Sequence, residues 1–156
     1  MQEYITKEGM QRLQKKMQEL IKDRPAIIRQ VATAREMGDL SENAEYHAAR
    51  ERQRHLENEY NRLKGRAAVL TVIDSDRIAK DAVRFGARVT LQEIDNGIIF
   101  KYRFVGVDEV FETDGDYERK SITSPLGRGM LGKKKDAIAL VKAPAGERKF
   151  KILEIK

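Results

Sequence analysis

Two heptad stripes joined by a short turn leave this chain few ways to begin. Met10, Leu13, Met17, Leu20, Ile27, Val31 and Ala34 recur in steps of three, four and seven, and only Arg24 interrupts them. Tyr46, Ala49, Gln53, Leu56, Tyr60, Leu63, Ala67 and Leu70 repeat the pattern. A stripe of this period buries one face of a helix against a partner of the same kind. With only a few residues around Gly38 between them, the two can pair only as an antiparallel hairpin. Arms of about 30 residues, at ~1.5 Å per residue, project roughly 45 Å. Pro25 follows Arg24 and predicts a kink or loosening, but the stripe keeps its phase on both sides, so the helix resumes. Toward the turn the seam becomes small and polar, with Ala34 on one arm and Ala49 and Glu42 on the other. Packing energy is therefore expected near the base, around Leu13, Leu20, Leu56 and Leu63.

The turn itself is Gly-Asp-Leu-Ser-Glu-Asn-Ala-Glu-Tyr, residues 38–46. Glu36, Asp39, Glu42 and Glu45 crowd it with carboxylates. Asp39 with Glu42 three residues on reads as a capping box that starts the second helix around residues 39–41. The same acids, exposed at a tip, could instead serve a metal-assisted reaction. Behind them come Arg50, Arg52 and Arg54, either a solvated helix face partly paired with Glu51 or a basic collar suited to a phosphate backbone.

Composition removes several classes. With no Cys and two His, neither a disulfide framework nor a thiolate or histidine zinc site is available, so any metal would be hard and carboxylate-bound. No apolar run approaches the ~20 residues of a membrane span, and the first residues lack a signal-peptide core. A cytoplasmic protein without membrane contact is expected. The net charge is +6, with 14 basic and 12 acidic side chains in residues 1–75 and 17 and 13 in residues 76–156. That balance allows weak contact with DNA but does not describe a dedicated duplex binder.

Near residue 76 the pattern switches to period two, which predicts an antiparallel hairpin helical domain over 1–75 and a globular domain over 76–156. Residues 88–95 and 98–106 flank Asn96-Gly97, which fits a two-residue turn pairing Asp95 with Ile98, Leu91 with Tyr102 and Val89 with Phe104. The acidic stretch 107–120 is expected to loop around or edge the sheet. Ser124-Pro125 reads as N-cap and first residue of a short helix closed by Gly132, and residues 137–142 and 149–155 as two more strands around a turn at Pro144-Ala145-Gly146. The second half is thus a small α+β domain with a mostly antiparallel sheet and one short helix.

Thr6-Lys7-Glu8-Gly9, Arg24-Pro25, the stretch Gly38 to Tyr46, Phe85-Gly86, Val105-Gly106 with Asp108-Glu109, Ser124-Pro125-Leu126-Gly127-Arg128 and Pro144-Ala145-Gly146 stand in the order and spacing of the bacterial Gre transcript-cleavage factors. The resemblance covers essentially the whole chain. It implies an N-terminal coiled-coil hairpin and a C-terminal FKBP-like domain, with the hairpin entering the secondary channel of bacterial RNA polymerase. There Asp39 and Glu42 match the family's tip acids, which act on a backtracked nascent RNA 3′ end. Asn43, Glu45 and Tyr46 belong to the same tip motif, and Arg50, Arg52 and Arg54 fall near the family's basic patch. Asp108, Glu109, Ser124 and Pro125 fall in the globular segments implied to dock at the channel rim. Departures lie in the globular domain: Lys133-Lys134-Lys135-Asp136, Gly129 in place of a usual alanine, and a longer loop from Phe111 to Lys120.

Two-metal phosphodiester hydrolysis gives the tip a chemical reason, since Mg²⁺ takes only one or two carboxylates from any one element. Asp39 and Glu42 are expected to share Mg²⁺ with polymerase in the complex only; the free protein is expected to be a monomer without cofactor or nuclease activity of its own. The alternative is a secondary-channel regulator that does not activate cleavage, whose tip would be expected to lose or rearrange these acids. An RNA-binding arm would favour Lys and Arg at the tip, and a prolyl isomerase would want more than 6% aromatic residues.

Overall fold

The structure, a computed structural model, describes residues 2–39 and 43–156. A short strand β1 (Glu3–Thr6) runs directly into α1 (Lys7–Arg35); α2 (Ala44–Val69) runs directly into β2 (Leu70–Ile73), and β1 and β2 pair as a two-stranded sheet. After a 3₁₀ turn at Ser75–Arg77 come β3 (Arg88–Glu93), β4 (Ile99–Val105), β5 (Glu118–Ser121), α3 (Pro125–Met130), β6 (Ile138–Ala143) and β7 (Gly146–Ile155). By contacts the chain divides into two compact units, Met10–Leu70 and the residues up to Gly9 together with Thr71–Lys156. These bounds differ from 1–75 and 76–156 because β1 is a strand of the globular unit, with Ile5 and Thr6 fully buried there. Four polar and apolar residues in mixed order gave no period by which to find it.

In the helical unit α1 continues through Pro25 as one helix. Leu13, Val31 and Ala34 on α1 and Ala49, Leu56 and Leu63 on α2 are buried, which is the seam read from the heptads. Each buried leucine contributes about 2 kcal/mol by area removed from water, whereas Ala34 and Ala49 near the turn contribute far less. Arg24, the break in the stripe, has a partner of its own. Its Nε and Nη2 donate to the Glu57 carboxylate at 2.7 and 3.2 Å, and its guanidinium lies 5.2 Å from the centre of the Tyr60 ring. Arg52 Nε makes a second tie between the arms, donating to Gln30 Oε1 at 3.0 Å.

The larger sheet of the globular unit has strand order β5-β4-β3-β7-β6. All pairs are antiparallel except β4 with β5, which is parallel. β5 is where the acidic stretch edges the sheet, and its charged sequence Glu-Arg-Lys-Ser reads as loop because an edge strand can be polar on both faces. The β3–β4 hairpin also differs from its expected register. Val89 pairs with Tyr102 and Leu91 with Phe100, two residues from the predicted partners. Glu93 N–H donates to Ile98 O at 2.9 Å and Gly97 N–H to Glu93 O at 2.9 Å, so the connection spans four residues rather than two. Asn96 explains the longer loop, because its side chain accepts from Ile98 N at 2.9 Å and donates to the Glu93 carboxylate at 3.1 Å. A shift of two leaves every side chain on its predicted face.

Val89, Leu91, Tyr102, Phe104, Phe150 and Ile152 form the core of this sheet with Met130 of α3. α3 begins as predicted, with Ser124 as N-cap and Pro125 at its first position. Gly129 now has a reason. A Cβ there would stand 2.9 Å from the Leu140 carbonyl oxygen and 3.0 Å from Val141 Cγ2, so glycine lets α3 lie close on β6.

Candidate functional site

The tip is built around Asn43. α1 ends in a tightened turn, with Glu36 N–H on Thr33 O at 3.2 Å and Met37 N–H on Ala34 O at 3.1 Å. Asn43 Nδ2 donates to the same Ala34 carbonyl at 2.7 Å, while its Oδ1 accepts from Tyr46 N–H at 3.1 Å as the N-cap of α2. One amide thus gives a last-turn carbonyl of one helix its second donor, beside Met37 N–H, and satisfies an orphan N–H of the next. Aspartate could supply the acceptor but no donor. Tyr46 packs edge-on against His47 with ring centres 5.6 Å apart, and the Arg35 guanidinium lies 5.8 Å from the Tyr46 ring centre.

This corrects the expected start of α2: the helix begins at Ala44, and Asn43 rather than Asp39 is its N-cap. Asp39 is exposed. Glu42 lies outside the described residues, as do Leu40 and Ser41, so the pairing of Asp39 with Glu42 in a capping box lies outside them too. Glu45 is in the first turn of α2, where a carboxylate suits the helix dipole, and borders a groove of about 640 Å³ with Arg29, Thr33, Ala34, Met37 and Arg52. Among the described residues no group of three or more His, Cys, Asp or Glu is placed to hold a metal ion.

Arg50, Arg52 and Arg54 are all exposed on α2. Arg50 Nη1 donates to Gln53 at 2.6 Å, Arg52 to Gln30, and Arg54 pairs with Glu51. These are surface contacts of at most about 1 kcal/mol each, weak enough to be exchanged for phosphate oxygens.

The four globular residues separate. Pro125 is exposed and Asp108 half-buried, while Ser124 is committed as a cap, accepting from Gly127 N–H at 3.2 Å and donating to Ser121 O at 2.6 Å. Glu109 does not fit a surface role: it is 1% exposed. Its carboxylate accepts from Thr6 N–H at 3.0 Å, from Gly106 N–H at 3.1 Å and from the Thr6 hydroxyl. In sequence Asp108-Glu109 reads as an exposed acidic pair, and nothing local distinguishes the buried member.

A second buried set also escaped the sequence. Arg103, 3% exposed, donates to Gly86 O and Ser75 Oγ, both at 3.1 Å, beside a two-pronged Arg88–Asp114 pair at 3.0 and 3.1 Å. Burial pushes the Asp114 carboxyl up, but the Arg88 hydrogen bonds and the charges of Arg103, Arg88 and Arg119 outweigh it and hold the group below its ordinary range.

Residues 3–72 match the family model of the N-terminal domain of GreA/GreB transcription elongation factors, and residues 78–156 match that of the C-terminal domain. The chain belongs to the GreA/GreB transcription elongation factor family. Transcription elongation factor GreA of Nitratidesulfovibrio vulgaris (strain DP4) is 42% identical over 154 residues, covering 97% of this chain and 91% of that one. GreA of Thermodesulfovibrio yellowstonii is 41% identical over 152 residues, covering 97% and 94%. The crystal structure of GreA factor homolog 1 of Thermus thermophilus aligns over 100% of this chain and 99% of its own at 18% identity, with a TM-score of 0.45, too low to add to the sequence match. As a Gre-family factor the chain is an accessory transcription factor whose partner is RNA polymerase. Among the described residues no helix is long and apolar enough to cross a membrane.

Proposed function

We propose that this protein binds bacterial RNA polymerase with its helical hairpin in the secondary channel and stimulates the polymerase's own cleavage of backtracked RNA, rescuing arrested complexes. The observation that supports this best is the Asn43 side chain bonded both to the end of α1 and to the start of α2, on either side of the acidic sequence, in a chain matched along its length by the Gre family models. Because Asn43 takes the cap, the α2 N-terminus does not need the Asp39 carboxylate.

Asp39 and Glu42 are the residues that would share Mg²⁺ with the polymerase. An exposed aspartate with hard oxygen donors suits a cation that takes its remaining ligands elsewhere. That ion would supply stabilisation of charge on the attacking water and the leaving oxygen. Asn43 joins the two helix ends that flank the acids in sequence, and Glu45 and Tyr46 belong to the first turn of α2 behind it. Arg50, Arg52 and Arg54 offer charge to the RNA or the polymerase, and Asp108, Ser124 and Pro125 belong to the surface that docks at the channel rim. Two carboxylates at an exposed tip hold Mg²⁺ weakly alone, so the free protein is an accessory and not a nuclease, and it works as a monomer.

The test is to replace Asp39 and Glu42 singly by alanine. Each variant is expected to lose stimulated cleavage while its affinity for polymerase stays within about threefold, since removing an exposed carboxylate costs binding well under 1 kcal/mol. Parallel loss of binding would overturn the division between a gripping shaft and a reacting tip.

A further inference from the structure

Three arginines stand side by side in the larger sheet. Arg88 on β3 pairs in register with Arg103 on β4, and Arg103 with Arg119 on β5, so one face carries three guanidinium groups in a row. Like charges directly opposite one another across strands are destabilising. Burial sharpens the conflict, since Arg103 is 3% exposed and Arg119 5%. Desolvation first and then Arg88 push the Arg103 guanidinium below its ordinary range, with Arg119 adding to them and Asp114 opposing. Such a row holds its charge only with acids set against it. Asp114 is the nearest of these. It comes from the segment between β4 and β5, forks onto Arg88 at 3.0 and 3.1 Å and lies 3.7 Å from Arg103 Nη1. Glu8 adds a second negative charge that acts on Arg88 and Arg103. Three cations thus face two acids, and Arg119 has the poorest share. Its Nη1 donates to the Glu109 carbonyl at 3.3 Å, while its buried Nε has no hydrogen-bond partner among the described residues. The segment that carries Asp114 has no apolar anchor at Phe111, which is 91% exposed. Its turn is closed by its own backbone, Tyr117 N–H donating to Asp114 O at 3.0 Å around Gly115 at φ 60°. The Asp114 carboxylate and the Lys101 ammonium, 5.8 Å from the Tyr117 ring centre, fasten this turn to the sheet.

We infer that the row Arg88, Arg103 and Arg119 is a binding site for a phosphate-class oxyanion, filled in cis by Asp114 and opened when a polyphosphate displaces it. Phosphoryl oxygens match the arginine fork as a carboxylate does, and a diphosphate brings more charge and more acceptors than Asp114 can. It can replace Asp114 on Arg88 and Arg103 and still have oxygens over for Arg119. The site lies within the globular unit and asks nothing of the tip. An occupant in cis weakens the apparent affinity by the fraction of time the site stands open, so a site open about a tenth of the time or less binds at least tenfold more weakly than one without Asp114.

The experiment titrates inorganic pyrophosphate into the full chain at constant ionic strength and follows backbone and arginine Nε–H signals by ¹H–¹⁵N NMR. Wild type is compared with Asp114→Asn, Arg88→Gln and the double variant Asp114→Asn/Arg119→Lys, which keeps the charge and removes the Nε donor. The expected result is saturable shifts at the three arginines and the Asp114 turn, with Asp114→Asn binding at least tenfold more tightly than wild type. Arg88→Gln against wild type, and the double variant against Asp114→Asn, should each lose about tenfold, the share of one charge-assisted fork. A short 5′-triphosphate RNA and its 5′-hydroxyl form are titrated alongside. Tighter binding of the triphosphate RNA than of pyrophosphate assigns the site to an RNA end, and the reverse to a free polyphosphate; both uphold the row. Equal binding of the two RNAs, with shifts spread over surface lysines, overturns it. So does equal pyrophosphate affinity in wild type and Asp114→Asn, or no saturable shift in Asp114→Asn up to about 10 mM. Where a buried-site variant fails to fold, wild type against Arg88→Gln decides, because Arg88 is partly exposed: shifts at the row in the first and not in the second uphold the site, and equal shifts in both overturn it.

Discussion

Replacing Asn43 separates its two jobs. The cap on Tyr46 N–H is worth about 1 kcal/mol, and the bond from Nδ2 to the Ala34 carbonyl about 1 kcal/mol net. Asn43→Ala removes both, so local opening of the first turn of α2 becomes easier by about 2 kcal/mol, roughly a thirtyfold loss of amide exchange protection at 1.4 kcal/mol per tenfold. Asn43→Asp keeps the cap, and a carboxylate at that helix end is favoured, yet it sets an oxygen against the Ala34 oxygen now held at 2.7 Å from Nδ2. Protection at Tyr46 and His47 should then fall by about fivefold to tenfold, the share of the lost bridge. Native-state hydrogen exchange of the two variants against wild type reads this directly. If Asn43→Asp protects these amides as well as wild type does, Asn43 is a cap and nothing more, and the clasp between the helices is refuted.

Arg24 and Glu57 should show a coupling of about 0.5–1 kcal/mol in a double-mutant cycle followed by urea unfolding, since the pair is two-pronged but only half-buried. Arg24→Lys should recover little of it, because an ammonium neither forks onto the carboxylate nor stacks as a plane on Tyr60. Glu93 is held down to about 2 from an ordinary 4.5 by the Arg148 hydrogen bonds, with Asn96 adding to the same direction against desolvation. A depressed acid contributes stability above its unfolded-state value that is lost as pH falls through its folded value. Acid unfolding followed by circular dichroism should therefore show wild type more stable than Glu93→Gln above about pH 4.5, with the gap closing toward pH 2; a gap that stays constant to pH 2 would contradict the pairing.

The helical arms were legible because heptad spacing is a long, redundant signal, and seam residues such as Leu13, Leu56 and Leu63 could be named from it. α3 was legible through Ser124-Pro125, a local cap chemistry. What escaped depended on contacts distant in sequence. β1 is four residues long and exists by pairing with β2, and Glu109 is buried by Thr6, 103 positions away. The hairpin register slipped by two because Asn96 spends its side chain bonding Ile98 and Glu93 rather than fitting a two-residue turn. At the tip, acidic residues at capping-box spacing drew the helix start to Asp39, whereas the amide four residues on could serve both helix ends at once.

Cleavage of nascent RNA in a stalled, backtracked bacterial elongation complex with Mg²⁺ tests the central claim most directly, with this protein compared against its Asp39→Ala/Glu42→Ala double variant. Short 3′ fragments released with the wild type only, at equal polymerase occupancy, are the expected result. Equal fragment release by both proteins, or none by either while both bind, would contradict a reacting tip, and the second outcome would make the protein a channel-binding regulator that leaves cleavage untouched.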